Sequence, residues 1–382
     1  MSRQDSSRQP KRGEMKVPEG RQMPRADRLA PPVWPGGRSA APNGEFTVIG
    51  RRNRKVEGLA KVTGRAIYAD DIALPRMLYA KLKRSIHAHA RILSIDASAA
   101  LAMPGVYAVI TGKDLPEYFG IIPWTQDEQA LCEHKVRYVG DAVAAVAAES
   151  ELLAEEALQN ICIEYQVLPA VTGIDEALDH PEWRVNEKSV EGNISKRVEL
   201  EFGDVEAEMK RSEAWVEALY WYEGSTHAPI EPHCCVADFD ATGLLTLYSS
   251  TQVAHYLHRD LARVLGLPTQ RIRVIQPVVG GAFGGKSEPF SLEFCAAKLS
   301  MIIGRPVKIL YTREEVFYAH RGRHPMRLHY RTGIRKDGTL TGVDARIHID
   351  GGAYSSFGLV TTYYSGQLLT APYAIPAYRF DS

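Results

Sequence analysis

The stretch of the chain best suited to chemistry is a glycine-rich loop at residues 280–286, Gly-Gly-Ala-Phe-Gly-Gly-Lys. A loop with so few side chains lets backbone N–H groups approach a ligand closely. The apolar, β-branched run before it (residues 272–279) is typical of a buried strand. After it, Ser287 is expected to cap a helix with Pro289 in its first turn, and Gly304 is expected to end that helix. The positive end of such a helix favours anions, so the sequence predicts a site for a phosphate or a phosphate-bearing cofactor.

The same loop allows two other interpretations. Its glycines and lysine, followed by Ser287, satisfy the pattern G-x-x-x-x-G-K-[ST] of the phosphate loop in P-loop NTPases. Such an enzyme also needs an acidic residue at the end of a neighbouring apolar strand to bind magnesium. The next clear strand, Val307–Tyr311, is followed by Thr312 and Arg313 instead, which disfavours an NTPase. A purely structural glycine loop is the third possibility.

A polar side chain is expected at a second strand-to-helix junction. Gln252 follows a strand predicted over Leu244–Tyr248 and precedes apolar residues at helical spacing from Val253 to Leu265. Its amide group can donate one hydrogen bond while it accepts another. Gln252 is therefore a candidate ligand-binding residue, and the alternative is that it only caps the helix.

Composition limits the classes of protein to which the chain can belong. It has 382 residues, with 46 basic and 46 acidic side chains, so charge gives no reason to expect nucleic acid or an anionic membrane as a partner. No apolar run reaches the ~18 residues that would span a bilayer, and no signal-peptide pattern opens the chain, so we expect a cytoplasmic protein. The five cysteines contain no C-x-x-C pair, which excludes the usual iron–sulfur spacings. If the chain does redox chemistry, its electron-relay centres must lie on other polypeptides.

The elements that would position these residues fall into four parts of the chain. Residues 1–45 are rich in Pro, Gly, Ser and Arg and are predicted to be a disordered extension. Residues 46–170 are predicted to form a compact α/β domain, residues 171–196 a linker, and residues 197–382 a larger α/β domain. Both candidate sites therefore belong to the larger domain.

Two histidines of the first domain are expected to have a structural or surface role. His87 and His89 alternate along an extended segment, and without a third ligand in view we do not expect them to bind a metal. Periodicity predicts four strands and a helix between the last two. The strands are Leu78–Lys83, Val106–Thr111, Ala142–Ala147 and Ile161–Tyr165, and the helix is Leu152–Gln159.

Several segments together resemble one known family. The sequence GGAFGGK after an apolar strand resembles the molybdopterin-binding loop of the xanthine oxidase family of molybdenum hydroxylases. Ser250-Thr251-Gln252 resembles the segment whose glutamine lies beside the molybdenum oxo ligand, and residues 320–326 resemble a G-R-H-P segment of the same subunits. Residues 58–72, 84–92 and 136–148 resemble the family's hammerhead domain.

The resemblance implies a fold and a cofactor. The fold would be α/β (α+β), a hammerhead-type domain followed by the first part of a molybdopterin-binding domain that is truncated at Ser382. The cofactor would be molybdopterin with molybdenum, which members of the family often bind in its cytosine dinucleotide form, and the protein would donate no direct metal ligand. On this basis Gln252 and Phe283 would lie nearest the metal, and the cofactor-binding residues would be Gln252, Gly281, Ala282, Phe283 and Gly284.

The family's catalytic glutamate would lie beyond Ser382. The non-enzyme hypothesis is therefore that the chain is an inert cofactor-binding or assembly fragment.

The resemblance also implies a substrate class and partners. Xanthine-oxidising members often have a glutamate directly after the loop lysine, where this chain has Ser287, which disfavours a purine substrate. Residues 201–209, 312–323 and 351–366 resemble the α subunit of 4-hydroxybenzoyl-CoA reductase, so reductive dehydroxylation of that thioester is the first expectation. A xanthine or aldehyde dehydrogenase subunit is the alternative. Either enzyme would be a hetero-oligomer with an iron–sulfur subunit and an FAD subunit, acting on a small aromatic or heterocyclic molecule.

Overall fold

The computed structural model of the protein describes residues 54–319 and 321–382. The predicted disordered extension, residues 1–45, lies outside the described residues. Residues 64–382 form one compact unit, and residues 54–63, with the short helix α1 (Gly58–Val62), belong to another.

The remaining elements mix helices and strands throughout the compact unit. The helices are α2 (Ser98–Leu101), α3 (Glu151–Gln159), α4 (Ile174–Asp179), α5 (Val205–Arg211), α6 (Ala254–Leu265), α7 (Ser291–Ile303), α8 (Arg313–Tyr318) and α9 (Gly358–Thr370). The strands are β1 (Leu78–Arg84), β2 (Ala90–Asp96), β3 (Val106–Thr111), β4 (Tyr118–Phe119), β5 (Glu128–Gln129), β6 (Lys135–Val136), β7 (Ala142–Ala148), β8 (Cys162–Val167), β9 (Glu199–Phe202), β10 (Ala214–Tyr222), β11 (Cys234–Phe239), β12 (Leu245–Ser249), β13 (Ile272–Ile275), β14 (Val307–Leu310), β15 (Met326–Ile334), β16 (Leu340–Ile349) and β17 (Ala377–Asp381).

A seven-stranded mixed sheet, ordered β13-β12-β11-β14-β1-β7-β3, forms the centre of the unit. Every residue of β7 is buried, which explains its unbroken run of alanine and valine. Strand β1 pairs antiparallel with β7 and parallel with β14, where Leu78 lies opposite Val307. The sheet thus combines strands from the first predicted domain with strands from the second. Helix α7 packs on it with a largely buried surface.

A five-stranded sheet, ordered β10-β15-β16-β17-β9, forms a second layer. The Asp337-Gly338 turn joins β15 to β16, and Gly338 has a positive φ of 86°. The side chains on one face of β16 and β17 make a separate apolar core with residues of α9. Strand β10 is at the edge, and most of its large apolar side chains are exposed: Trp215, Val216, Leu219, Tyr220, Trp221 and Tyr222.

Residues of the predicted linker are ordered by their own hydrogen bonds. Asn193 donates its side-chain amide to the carbonyls of Ala177 and His180, and its side-chain oxygen accepts from the N–H of Val185 at 2.9 Å. The segment also contains α4. The predicted domain boundaries at 170 and 196 remain a prediction.

The expected α/β class is confirmed, and most of the named strands and helices form within two residues of their predicted limits. The predicted start of α7 is wrong by three residues, because the residue that precedes the helix is Phe290 rather than Ser287. The cause lies in Pro289, whose ring disfavours helical geometry in the residue before it. Residues 283–288 form turns and bends, and the N-terminus of α7 is capped by the carboxylate of Glu293, which accepts from the N–H of Phe290 at 2.8 Å.

Candidate functional site

Two neighbouring parallel strands bring the glycine loop and Gln252 together. Strand β12 runs parallel to β13, with Tyr248 opposite Ile275. Parallel strands end at the same edge of a sheet, so the residues that follow each strand lie side by side there. Gln252 follows β12 and the loop follows β13, and the backbone N–H of Gln252 donates to the carbonyl of Lys286 at 2.9 Å.

The side chain of Gln252 binds the loop through its oxygen. Oε1 accepts from the backbone N–H of Gly284 at 3.1 Å, from that of Lys286 at 3.3 Å, and from the hydroxyl of Ser287 at 3.1 Å. The alternative that Gln252 only caps α6 is wrong, because no described side chain makes a capping hydrogen bond to that helix. The amide nitrogen of Gln252 makes no hydrogen bond within residues 54–319 and 321–382, and the residue is exposed. Both N–H groups of this amide can therefore donate to a ligand.

The crest of the loop, residues 281–283, has backbone N–H groups that are available to a ligand. Within the described part of the chain, the N–H groups of Gly281, Ala282 and Phe283 have no hydrogen-bond acceptor, although Gly280 and Gly284 on either side each have one. Ala282 is buried, so its unpaired N–H is costly unless a ligand or water accepts it. Phe283 has a positive φ of 57° and is 75% exposed, both unfavourable for this residue type. Three adjacent donors beside a bare aromatic ring are suited to a flat polar ligand or an anion.

Beneath the crest, one carboxylate joins both ends of the loop. Oε2 of Glu231 accepts from the backbone N–H of Gly280 at 2.8 Å and from the ammonium of Lys286, also at 2.8 Å. The Lys286 side chain is 1% exposed and that of Glu231 is 10% exposed. Burial lowers the pKa of Lys286, whereas the bonded carboxylate acts in the opposite direction.

The segment that contains Glu231 is itself held in place. Arg313 at the start of α8 donates to the carbonyls of Pro229 and Ile230, at 2.7 and 2.6 Å. His227 packs so closely on the loop that a Cβ on Gly285 would lie 2.9 Å from its imidazole ring. Sequence reasoning missed both His227 and Glu231, which lie about fifty residues before the loop. No local pattern marks either residue, so no sequence signal could have found them.

The geometry is incompatible with a P-loop NTPase. In that class the lysine of the loop reaches the β- and γ-phosphates of the nucleotide. Here Lys286 points into the protein and is paired with Glu231. The strand beside β13 is β12, and it is followed by Ser250 and Thr251 rather than by an acidic residue. The predicted helix dipole is also absent from the loop, because α7 begins five residues after Lys286 and is already capped.

Behind the loop, Glu288 connects to a buried polar cluster. The Glu288 carboxylate accepts a hydrogen bond from the hydroxyl of Ser356 and pairs with the guanidinium of Arg321. The same guanidinium also pairs with Glu128. Burial raises the pKa of Glu128. Arg321 and Ser356 line a cavity of about 300 Å³. The loop is thus connected through Glu288 to the wall of a pocket large enough for a small molecule.

The histidines singled out in the first domain have structural contacts. Nδ1 of the buried His89 lies 2.7 Å from the carbonyl oxygen of Pro169, and His87 packs edge-on against Tyr165. Within the described ranges, no group of three His, Cys, Asp or Glu side chains could bind a metal ion. The longest of the described helices have 13 residues, too few for a membrane span.

Comparison with known proteins gives two family matches and many relatives. Residues 63–169 match the aldehyde oxidase and xanthine dehydrogenase a/b hammerhead domain, and residues 186–382 match the molybdopterin cofactor-binding domain. The chain is 39% identical over 340 residues to the nicotinate dehydrogenase large molybdopterin subunit of Eubacterium barkeri, covering 88% of this chain and 79% of that one. It is 34% identical over 342 residues to the xanthine dehydrogenase molybdenum-binding subunit of Escherichia coli O157:H7, covering 86% of this chain and 44% of that one.

A solved structure with the same fold is quinoline 2-oxidoreductase from Pseudomonas putida 86. The TM-score is 0.79 at 31% identity, with 87% of this chain and 44% of that chain covered. The chain therefore spans most of the length of one curated relative and less than half the length of others.

Proposed function

The chain belongs to the aldehyde oxidase and xanthine dehydrogenase family, whose relatives are molybdenum oxidoreductases, and on that premise we propose that Gln252 and the loop crest form part of its molybdopterin site. In this proposal the chain is the molybdenum-cofactor-binding part of a multi-subunit hydroxylase or dehydrogenase. The site residues are those that the sequence indicates: Gln252, Gly281, Ala282, Phe283 and Gly284.

The single observation that supports this proposal most strongly is that the N–H groups of Gly281, Ala282 and Phe283 have no acceptor among residues 54–319 and 321–382. A buried backbone donor without a partner is rare in native proteins, so the N–H of the buried Ala282 supports a ligand as its acceptor, and the more exposed N–H groups of Gly281 and Phe283 on either side can donate to the same ligand. Molybdopterin bears a phosphate and a flat heterocycle with polar edges, so its chemistry fits backbone donors beside an exposed aromatic ring. The open face of the crest also fits, because Gly281 and Gly284 adopt positive φ values of 105° and 97° and place no side chain there.

When bound, the cofactor supplies a metal that exchanges two electrons with the substrate. The chain's own residues bind and orient it. The amide nitrogen of Gln252 donates toward the ligand while its oxygen stays bonded to the loop, so the direction of the donor is fixed before the ligand arrives. The exposed ring of Phe283 would pack on the bound cofactor and exclude water from the crest.

The substrate that we propose is a nitrogen-containing aromatic ring. The relative whose alignment covers most of its own length and most of this chain is named for nicotinate, and the similar solved structure is named for quinoline. Ser287 stands where purine-oxidising members have a glutamate, and it bonds to Gln252 rather than projecting freely. Reductive dehydroxylation of 4-hydroxybenzoyl-CoA remains a second candidate, since the likeness of residues 351–366 to that reductase motivates it.

The complex that we propose contains an iron–sulfur subunit and an FAD subunit. The five cysteines of this chain are free thiols with no cluster spacing, so electrons must leave the metal through other polypeptides. A cytoplasmic location and the cytosine dinucleotide form of the cofactor belong to the same proposal.

The test is to purify the chain in its native complex from cells supplied with molybdate. Molybdenum and pterin are measured per chain, and turnover is measured with nicotinate, hypoxanthine, an aromatic aldehyde and 4-hydroxybenzoyl-CoA. Stoichiometric molybdenum and pterin with turnover of nicotinate are expected. A complex that contains neither molybdenum nor pterin would refute the proposed site. Turnover of 4-hydroxybenzoyl-CoA alone would show that this thioester, and not a nitrogen-containing aromatic ring, is the substrate.

A further inference from the structure

The carboxylate of Glu231 occupies a position that the cofactor site does not explain. It lies beneath the loop, away from the crest, yet one of its oxygens accepts both the N–H at the first residue of the loop and the ammonium at the last. The backbone of Glu231 repeats this contact, because its own N–H donates to the carbonyl of Gly280 at 3.2 Å. The two ends of the loop are therefore fixed to a single atom.

We propose that Glu231 is a positioning residue for the cofactor loop, which directs the free N–H groups of Gly281, Ala282 and Phe283 toward the ligand by clamping Gly280 and Lys286 to one oxygen. This inference rests on the proposed function. It goes beyond that function by naming a residue that contacts no ligand and acts through the loop.

Three observations support a role in geometry rather than in stability alone. A Cβ on Gly280 would lie 2.6 Å from the Cβ of Glu231, so the loop and the side chain approach each other as closely as glycine allows. Oε1 of Glu231 is buried and has no hydrogen-bond partner among residues 54–319 and 321–382, an arrangement that lowers stability. Arg313 holds the carbonyls just before Glu231, so the clamp has a rigid support.

Gln252 and Glu231 hold different parts of the same loop. Gln252 bonds the backbone of Gly284 and Lys286 from the exposed side, whereas Glu231 bonds Gly280 and the Lys286 side chain from the buried side. Between these fixed points lie Gly281, Ala282 and Phe283, whose N–H groups have no acceptor in the part of the chain that the structure describes. Loss of the Glu231 contacts should therefore allow the N–H groups of residues 281–283 to change direction even when the fold is retained.

The chain offers a matched control in Glu315. Its carboxylate also accepts one backbone N–H, from Thr312 at 2.8 Å, and one buried cationic side chain, Arg84 at 2.7 Å. Its side chain is 11% exposed, against 10% for Glu231. Glu315→Gln therefore makes the same chemical change in an equivalent ion pair that does not touch the loop.

The experiment uses the native complex from molybdate-supplied cells and measures, for each variant, the melting temperature and the molybdenum and pterin that remain after gel filtration. Glu231→Gln and Glu315→Gln should lower the melting temperature by similar amounts, because each leaves a buried cation without its counter-ion. Only Glu231→Gln should lower cofactor retention, by roughly ten-fold, the effect expected for a lost charged hydrogen bond.

The double variant Glu231→Gln/Lys286→Met separates stability from positioning. It removes both charges, so the melting temperature should recover most of the loss. Retention should stay low, because the lysine end of the clamp is still missing. Retention that recovers together with the melting temperature would overturn the proposal, as would equal retention in Glu231→Gln and Glu315→Gln. A wild-type complex without molybdenum and pterin would instead overturn the proposed function itself, and the clamp with it.

Discussion

Replacing Gln252 separates its two functions, because the oxygen and the nitrogen of its amide have different partners. Gln252→Leu removes the acceptor for three donors, but Gly284 and Ser287 can bond to water instead, since neither is buried. Only the N–H of the buried Lys286 is left unpaired, so we expect a loss of about 1–2 kcal/mol in the free energy of unfolding. Gln252→Glu keeps an oxygen for all three donors, and the expected loss is below about 0.5 kcal/mol.

Cofactor binding should rank these two variants differently from stability. Gln252→Glu has no N–H to donate and adds negative charge beside an anionic ligand, so it should lose molybdenum and turnover almost as completely as Gln252→Leu. The assay compares melting temperature, where about 1 kcal/mol corresponds to a few degrees, with metal content and turnover in the complex. Gln276→Glu is the control, because Gln276 is exposed and follows β13 at the same sheet edge. A Gln252→Glu complex with full molybdenum content and turnover would refute the donor role.

Three further predictions concern the loop, the core and the sheet edge. Gly285→Ala should destabilise the protein by about 1–3 kcal/mol in chemical denaturation, since its Cβ would clash with His227, whereas Gly351→Ala, with open space around it, should be nearly neutral. Burial raises the pKa of Glu293 from 4.5 to about 7, so between these pH values the folded state keeps a proton that the unfolded state has released. The free energy of unfolding should therefore fall as pH rises from about 5 to 7 and level off above it. Glu293→Gln should flatten this slope, and a fall of equal steepness in the variant would contradict the assignment. Trp215→Lys at the edge strand β10 should lower concentration-dependent self-association in light scattering without changing the melting temperature, because the exposed apolar edge is the surface expected to pair with another chain. Unchanged self-association would show that the protein does not associate through β10.

The sequence predicts the parts of the site that have local signals. Repeated glycines after a β-branched run locate the loop, and helical spacing after Gln252 locates the second junction. The adjacency of β12 and β13 is not predictable from either segment, yet it is what places Gln252 against the loop. The start of α7 is wrong because Ser287 and Pro289 both have good positional statistics for a helix start, while the buried carboxylate of Glu293 provides the actual cap.

The clamp at Glu231 is beyond sequence reasoning for a physical reason. Its partners are a backbone N–H and a lysine about fifty residues later, and neither forms a periodic or spaced pattern with it. A buried ion pair is recognisable only when the fold has brought the two charges together. By contrast, the hairpin between β11 and β12 needs only the local turn chemistry of Asp240–Gly243, which can be recognised in the sequence.

The parallel pairing of β1 with β14 has a consequence for the order of folding. These neighbours are separated by more than two hundred residues in the chain, and on the other side of β14 lies β11, also from the later half. During synthesis, the early strands must therefore wait with one edge uncovered until the ribosome has released residues 307–310. Contacts between such distant segments slow folding and prolong the exposure of unpaired edges. We expect the nascent chain to depend on chaperones throughout that interval.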